Sequence, residues 1–225
     1  AYDSIYSDKD SIFGRVFNME ICNDMLVLSH GEDEYHYSFI DTENGHLLKR
    51  WGKIGQGSEE FLDFGLRFVV NDSALVFMDS MKKQIVYVSL NDILQGVRPV
   101  GKHTEAFPYT ADFRPFTFSM IGGYKFFTGA FKSSSWGGIN PKGEIMPLHF
   151  DFPFSTDPLE GIYKGATFQG ILKANEKQKK LVLMTLASDV FEIFQCEGDS
   201  VRKVYTSPFN HPPKLIKKGA RYGID

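Results

Sequence analysis

A short apolar run recurs four times along the 225-residue chain. The copies are MLVLSHG, LVFMDS, KFFTGA and LVLMTL, and they begin 50, 50 and 56 residues apart, at Met25, Leu75, Lys125 and Leu181. Self-similarity at a period of about fifty residues indicates a repeat architecture, in which each unit buries a face against its neighbour. The repeat therefore constrains the fold of this chain more than any other feature.

Each run is predicted to be the second strand of an antiparallel unit. A turn signal such as Asn23-Asp24 or Gly122-Gly123 precedes the run, and an earlier strand-like run precedes the turn. Third-strand candidates follow as YHYSFIDT, KQIVYVSL, SSSWGGIN and SDVFEIFQ. Fourth-strand candidates are GHLLKRWG, GEIMPLHF and DSVRKVYT, while SLNDILQG in the second unit predicts one helical turn before a fourth strand at VRPVGK.

Four antiparallel strands in about fifty residues are the size of a β-propeller blade, so we predict an all-β propeller. The continuously apolar second strands are typical of strands covered on both faces. Basic residues in the fourth strands, such as Lys49 and Arg202, suit an exposed edge. Within a single domain of residues 1–225, the predicted blades are residues 11–52, 65–103, 115–150 and 164–207, with a fifth beginning near residue 213.

A propeller must close, because an open arc leaves two blade faces in water. The final segment KLIKKGARYGID has the length of one inner strand, with no second strand after it to pair with. We therefore expect the four blades to be an incomplete set, with about two more supplied by a longer parent protein. The alternative is a small ring that the N-terminal segment YDSIYSDKDSIF completes.

The composition excludes several classes of protein. A net charge of −3 and a pI near 6.1 argue against non-specific nucleic-acid binding, which needs a basic surface. No run approaches the ~18 apolar residues of a membrane helix. Cys22 and Cys196 are the only cysteines, and each lies in an apolar run. This favours a buried structural role, with a disulfide or a reactive thiol as the alternatives.

The stretch RWGKIGQGSEEF, from Arg50 to Phe61, follows the first predicted blade. Its three glycines permit positive φ, as a path from the outer strand of one blade to the inner strand of the next requires. It lacks the Lys-Ser/Thr ending of a phosphate-binding loop, and no predicted helix follows it. Its adjacent Glu59 and Glu60 are poorly placed to converge on one substrate atom. We interpret the stretch as a connector.

Within this connector, WGKIGQGSEEF resembles the fG-x-x-GqGpgEF signature that precedes a blade in NHL-like propellers, with Ser58 where Pro is usual. The run LVFMDSMKKQIVYVSL resembles the NHL core iyVaDs-x-n-x-x-Vqvfd, with Asp79 at the Asp position, which the third and fourth units lack. The resemblance covers residues 20–95 and is nearest to the TolB-like six-bladed propellers of Bacteroidetes. It implies a six-bladed ring, exported to the periplasm or carried as a surface lipoprotein, in families that mostly lack an assigned activity.

The loops between second and third strands are expected to share one face with the connectors, and propellers usually bind ligands on such loops. Trp136, between serines and glycines, could stack on a sugar or a partner, or could instead cover the propeller axis. The ligand-binding candidates on this connector face are Trp136, Arg50, Gln56, Arg114 and Tyr163.

The loop SHGEDEYH could supply imidazole and carboxylate ligands to zinc or manganese, through His30, Glu32, Asp33 and His36. The same sequence is typical of a solvated hairpin tip. Asp79 is better suited to cap a turn through backbone N–H groups. We therefore expect no metal and no other cofactor, with His30, Asp33 and Asp79 as the weak candidates for a metal.

Motifs of hydrolytic chemistry are missing from the sequence, including G-x-S-x-G and H-E-x-x-H. Our first hypothesis is a non-catalytic binding propeller whose partner is a protein, peptide or glycan on the connector face. The alternative is a metal-assisted hydrolase or lyase with carboxylates at the propeller axis, which rests on analogy between folds.

Overall fold

The computed structural model of the chain describes residues 15–31, 34–53, 55, 60, 68–70, 73–96, 103–108, 110, 113–131, 134, 136–146, 170–186, 190–207, 215–218 and 221–224. Across these residues the chain forms antiparallel strands and one short helix. It divides into two compact units, Ala1–Phe107 and Pro108–Asp225. The prediction of an all-β fold is confirmed.

Blade one is a four-stranded antiparallel sheet in chain order. Its strands are β1 (Val16–Cys22), β2 (Met25–His30), β3 (Tyr35–Asp41) and β4 (Leu47–Lys53). The predicted turn between the first two strands is tight, since Cys22 pairs with Met25 and Asn23 adopts φ 51. Asn tolerates this left-handed conformation better than most residues.

Blade two has the same order, with a helix inserted before its last strand. Its elements are β5 (Phe68–Val70), β6 (Ala74–Asp79), β7 (Gln84–Ser89), α1 (Leu90–Gln95) and β8 (His103–Ala106). The predicted helical turn is confirmed. Ser89 caps it by accepting a hydrogen bond from the Asp92 N–H at 3.2 Å, and Gly96 ends it at φ 69.

The fourth strand of blade two lies later than the sequence predicted. It is formed by His103–Ala106, whereas the predicted segment VRPVGK, residues 97–102, lies outside the described residues. Contacts across strands explain the choice. The Tyr87 ring lies 5.4 Å from that of His103, and the Tyr87 hydroxyl donates to Glu105 Oε2 at 3.2 Å.

The core of unit one joins blade one to blade two. Tyr37 is its centre, because its ring lies 5.5 Å from Phe68, 5.8 Å from Phe77 and 5.9 Å from Trp51. The core residues are Val27, Tyr37, Phe39, Phe68, Leu75, Phe77, Val86, Val88, Leu90 and Ile93. The predicted second strand LVFMD is buried along its whole length, as expected for a strand covered on both faces.

Unit two contains two further sheets and a hairpin. Blade three comprises β9 (Phe113–Ile121), β10 (Tyr124–Phe131) and β11 (Trp136–Ile139). An isolated bridge from Ile139 to Ile145 marks the start of the predicted fourth strand, and residues 147–150 lie outside the described part of the chain. Blade four comprises β12 (Gly170–Asn175), β13 (Lys180–Thr185), β14 (Phe191–Glu197) and β15 (Ser200–Thr206).

Blades three and four contact each other closely. Thr128 Oγ1 on β10 donates to the Gly170 carbonyl at 3.0 Å. At the turns, the Gly122 N–H donates to Glu176 Oε2 at 2.9 Å. Gly170 is required where strands approach, because a Cβ there would lie 2.6 Å from the Met184 carbonyl oxygen.

The C-terminal segment corrects one expectation. It was predicted to be a single strand without a partner, but β16 (Leu215–Lys218) pairs with β17 (Arg221–Ile224) in an antiparallel hairpin. The overlooked signal was Gly219-Ala220, the two-residue spacing of a tight hairpin. The alternative ring closed by the N-terminal segment falls on residues 2–13, which lie outside the described residues.

Candidate functional site

The connector end of each sheet is the end where its second strand passes into its third. In blade one this end gathers the start of β1, the end of β2, the start of β3 and the end of β4. The strand register shows this directly, since Val16 pairs with His30 and Tyr35 pairs with Lys53.

Two cation–aromatic pairs lie at the connector end of blade one. The Arg15 guanidinium lies 5.4 Å from the centre of the Phe17 ring, and Lys53 Nζ lies 5.2 Å from that of Tyr35. Lys53 also donates to the Glu34 carboxylate, and this hydrogen bond raises the pKa of the Lys53 ammonium. We call Arg15, Phe17, Glu34, Tyr35 and Lys53 the blade-one platform.

A glycine contact positions Arg15 and Phe17 of the platform. The Gly31 N–H donates to the Arg15 carbonyl at 3.0 Å, which ties the β2–β3 loop to the chain just before β1. The Phe17 ring then lies directly against Gly31, where an added Cβ would be 2.7 Å from Phe17 Cε2.

A buried polar layer lies beside the platform. His30 and His36 are buried, and His30 Nε2 shares a 2.8 Å hydrogen bond with Ser38 Oγ. The pKa of His36 is lowered to about 4, mainly because burial disfavours the charged imidazolium and secondly because of the charge interaction with His30, while a hydrogen bond to the His30 backbone raises it in part. His36 is therefore a neutral imidazole near pH 7 and supports the loop rather than carrying charge.

The buried carboxylates at the other connector ends hold the backbone and neighbouring strands in place. In blade two, Asp79 Oδ1 accepts from the Lys82 N–H at 2.9 Å, which is the turn cap expected from the sequence. In blade four, Glu192 Oε1 accepts from Lys203 Nζ at 2.8 Å and from Thr206 Oγ1 at 3.3 Å.

Trp136 departs from its expected role. It begins strand β11, as the third-strand candidate SSSWGGIN predicted, but it is fully buried and so neither faces a ligand nor lies exposed in a loop. Its ring lies 4.8 Å from Phe194 and 5.7 Å from Phe126. The indole is therefore a core group of unit two and is not available to a surface ligand.

Of the other predicted ligand residues, the structure describes Arg50 and Arg114. Arg50 is half-buried on β4 and Arg114 is half-buried on β9, in different units. Gln56, Tyr163 and the metal candidate Asp33 lie outside the described residues. Among the residues that the structure describes, no group of three His, Cys, Asp or Glu side chains could hold a metal ion.

Both cysteines are buried and neither forms a disulfide. Burial raises the pKa of the Cys196 thiol to about 11, so it stays protonated near neutral pH. This fits the interpretation of Cys196 as a packing residue.

Sequence reasoning missed the aromatic members of the platform. Phe17 is the second residue of β1, and its basic partner Arg15 lies just before that strand. Tyr35 is the first residue of β3, and its basic partner Lys53 is the last residue of β4. The pairing of Tyr35 with Lys53 depends on the register of β3 with β4, which spans eighteen residues and is not visible in either strand alone.

Comparison with known proteins supports the fold. No protein-family model matches the chain, and no curated protein matches it. Solved structures do resemble it. A protein of Bacteroides fragilis described as exported superposes with a TM-score of 0.62 at 12% identity, over 90% of this chain and 54% of that one. The WD40 domain of coronin from Toxoplasma gondii gives 0.53 at 13% identity, over 88% and 47%.

A member of the DUF4221 family from Bacteroides vulgatus gives a TM-score of 0.50 at 12% identity, over 85% of this chain and 57% of that one. The chain thus spans about half the length of the structures it resembles. WD40 domains are propellers of four-stranded blades. Blades one, two and four are likewise four-stranded antiparallel sheets whose strands lie in chain order. The fold is a β-propeller. In the described part of the chain, no helix has the length and apolar character needed to cross a membrane.

Proposed function

We propose that this protein is a non-catalytic binding propeller of the cell envelope, which binds a protein, peptide or glycan on its connector face. The observation that carries the proposal is the blade-one platform. Aromatic side chains there lie beside basic groups, a combination that recognition surfaces favour over the rest of a protein surface. Loops and strand ends on a rigid sheet are also where binding residues concentrate.

The engagement of the buried carboxylates supports the non-catalytic part of the proposal. Asp79 and Glu192 accept hydrogen bonds from the turn or strand beside them, which stabilises those elements. A catalytic carboxylate instead needs a substrate proton within hydrogen-bond reach and a pKa tuned to the reaction. The described geometry suits these two residues to structural support.

The cell envelope is part of the proposal because one similar structure is of a protein described as exported. The signature WGKIGQGSEEF adds a TolB-like or NHL-like affiliation, and with it a six-bladed ring to which these blades would belong. Periplasm and cell surface both fit this proposal.

A binding screen tests the proposal. Purified protein is tested by thermal shift against peptides, glycans and candidate envelope proteins, beside the platform variants Tyr35→Ala and Lys53→Ala. The control is Glu43→Ala, an exposed change at the opposite end of blade one. We expect a ligand that raises the melting temperature of the wild type and the control, and raises it less in both platform variants.

Two results would overturn the proposal. A ligand that stabilises the platform variants as strongly as the control would show that the platform is not the binding site. Hydrolysis of a generic ester, lactone or glycoside that is lost when a connector-face carboxylate is replaced would show that the protein is an enzyme.

A further inference from the structure

The turn between β3 and β4 contains the only Asn-Gly pair in the chain, Asn44-Gly45. Asn44 is exposed, and Gly45 adopts φ 74. Asn followed by Gly is chemically labile, because no Cβ shields the glycine nitrogen from the asparagine side-chain amide. The pair takes no part in the proposed binding surface, which lies at the other end of blade one.

We propose that Asn44 is a site of spontaneous deamidation, and that the hydrogen bonds of its turn control the rate. The Gly45 nitrogen loses its proton and attacks Asn44 Cγ. A C–N bond forms, the bond to Nδ2 breaks, and the amide nitrogen leaves as ammonia. Water then opens the cyclic imide at either carbonyl, which gives aspartate or isoaspartate at position 44.

One contact in the turn favours this reaction. The His46 N–H donates to Asn44 Oδ1 at 2.8 Å. The same N–H is placed to stabilise the negative charge that develops on Oδ1 when the Gly45 nitrogen attacks, as donors in oxyanion sites do.

Asp41 opposes the reaction through three accepting oxygen atoms. Its carbonyl accepts from the Gly45 N–H at 2.9 Å, which occupies the nucleophile. Its Oδ2 accepts from Asn44 Nδ2 at 3.0 Å, and its Oδ1 accepts from the Glu43 N–H at 2.8 Å, so the side-chain amide is held in place. The reaction therefore requires the turn to open, and the folded chain is protected relative to the unfolded chain.

Deamidation would act on blade one through charge. The new carboxylate would stand where Nδ2 now donates to Asp41 Oδ2, so two like charges would replace a hydrogen bond. We expect the turn to loosen and the variant Asn44→Asp to melt at a lower temperature than the wild type.

The intact protein tests the proposal during incubation in mildly alkaline buffer. Peptide mass spectrometry measures conversion of Asn44 to the acid, with isoaspartate scored separately. Asn175 is the internal control, since it is exposed and its Oδ1 accepts from the Gln178 N–H at 2.9 Å, but Glu176 follows it. We expect severalfold more conversion at Asn44 than at Asn175, and faster conversion of Asn44 in urea than in the folded chain.

The variant Asp41→Ala tests whether the hydrogen bonds of the turn slow the deamidation of Asn44. It removes the side-chain contacts to Glu43 and Asn44, so conversion should rise by at least about fivefold, the kinetic equivalent of losing one of these two hydrogen bonds. Conversion of Asn44 no faster than that of Asn175 would overturn the proposed site. Equal rates in folded and urea-unfolded wild type would overturn the proposed control by the turn, whether or not the variant folds.

Discussion

The Trp136 and Phe194 rings meet edge to face, with centroids 4.8 Å apart and planes inclined by 66°. Trp136 begins the last described strand of blade three, and Phe194 lies at the centre of blade four. Both side chains are fully buried. This contact therefore joins the two blades of unit two, as Tyr37 and Phe77 join those of unit one.

Replacing Trp136 with alanine should strongly destabilise the protein. The change removes a buried indole and leaves a cavity between blades, so we expect a loss of about 3–5 kcal/mol in the free energy of unfolding. Urea denaturation measures this loss. The control Phe191→Ala removes an aromatic ring that is 38% exposed and should cost clearly less. Equal losses in the two variants would contradict the role of Trp136 as a core residue that joins blades three and four.

The strand that contains Trp136 was predicted from the sequence, but the burial of its side chain was not. The segment SSSWGG has the composition of a flexible loop, yet Gly137 pairs with Phe127 and Gly138 with Phe126 across the sheet. Large aromatic residues on one strand can cover glycines on its neighbour, and this makes a strand from residues of low strand propensity. That effect depends on pairing between strands and is not visible in either strand alone.

The second strands were predictable because their signal lies in the composition of each run and in the spacing between runs. Runs such as LVFM are apolar at every position, and a turn signal precedes each of them. Their period of about fifty residues is a property of the whole chain, so it predicted blades without any knowledge of contacts. The platform depends on strand register and on the approach of Arg15 to Phe17, and neither follows from the repeat.

His36 should make stability depend on pH. Its pKa is about 4 in the folded protein, against an ordinary value of 6.5, so the unfolded chain binds this proton more tightly. Above pH 6.5 the His36 imidazole is neutral in both the folded and the unfolded chain, so this group does not lower the free energy of unfolding there. As the pH falls from 6.5 towards 4, the free energy of unfolding should decrease, by about 3 kcal/mol in total.

Comparison with His36→Asn separates this effect from the titration of carboxylates. Denaturant unfolding of both proteins is followed between about pH 7 and pH 4, and the difference in stability is plotted against pH. The wild type should lose stability relative to the variant across that window. A difference that stays constant with pH would show that His36 does not carry the effect.

The ion pair of blade four should matter more than the ion pair of the platform. Glu192 is almost fully buried, with 2% of its side chain exposed, and Lys203 Nζ lies 2.8 Å from its Oε1. Replacing Lys203 with methionine keeps the aliphatic stem but leaves a buried carboxylate without its cation. We expect a loss of about 1–3 kcal/mol in unfolding free energy, because a buried charge that loses its partner is costly.

The matched control is Lys53→Met. Its partner Glu34 is 63% exposed, so water replaces the lost contact and no measurable change in stability is expected. Double-variant cycles with Glu192→Gln and Glu34→Gln complete the comparison. Coupling as weak between Lys203 and Glu192 as between Lys53 and Glu34 would contradict the structural role assigned to Glu192.

An added Cβ would meet backbone atoms at one glycine, Gly129, and a side chain at another, Gly31. A Cβ at Gly129 would lie 2.1 Å from the Arg114 carbonyl oxygen, at the bulge where β10 pairs with β9. A Cβ at Gly31 would lie 2.7 Å from Phe17 Cε2, at the edge of a ring. The backbone at Gly129 can move only by breaking the sheet, whereas the Phe17 ring can rotate away.

Gly129→Ala should therefore destabilise the protein more than Gly31→Ala, by about 1–3 kcal/mol, the usual cost of overpacking a tight interior. Thermal and urea unfolding of the two variants measure the difference in stability. Gly31→Ala should instead weaken ligand binding at the platform, because a displaced Phe17 ring no longer lies under Arg15. If Gly31→Ala destabilises the fold as much as Gly129→Ala and leaves binding unchanged, Phe17 serves the core of blade one and not the platform.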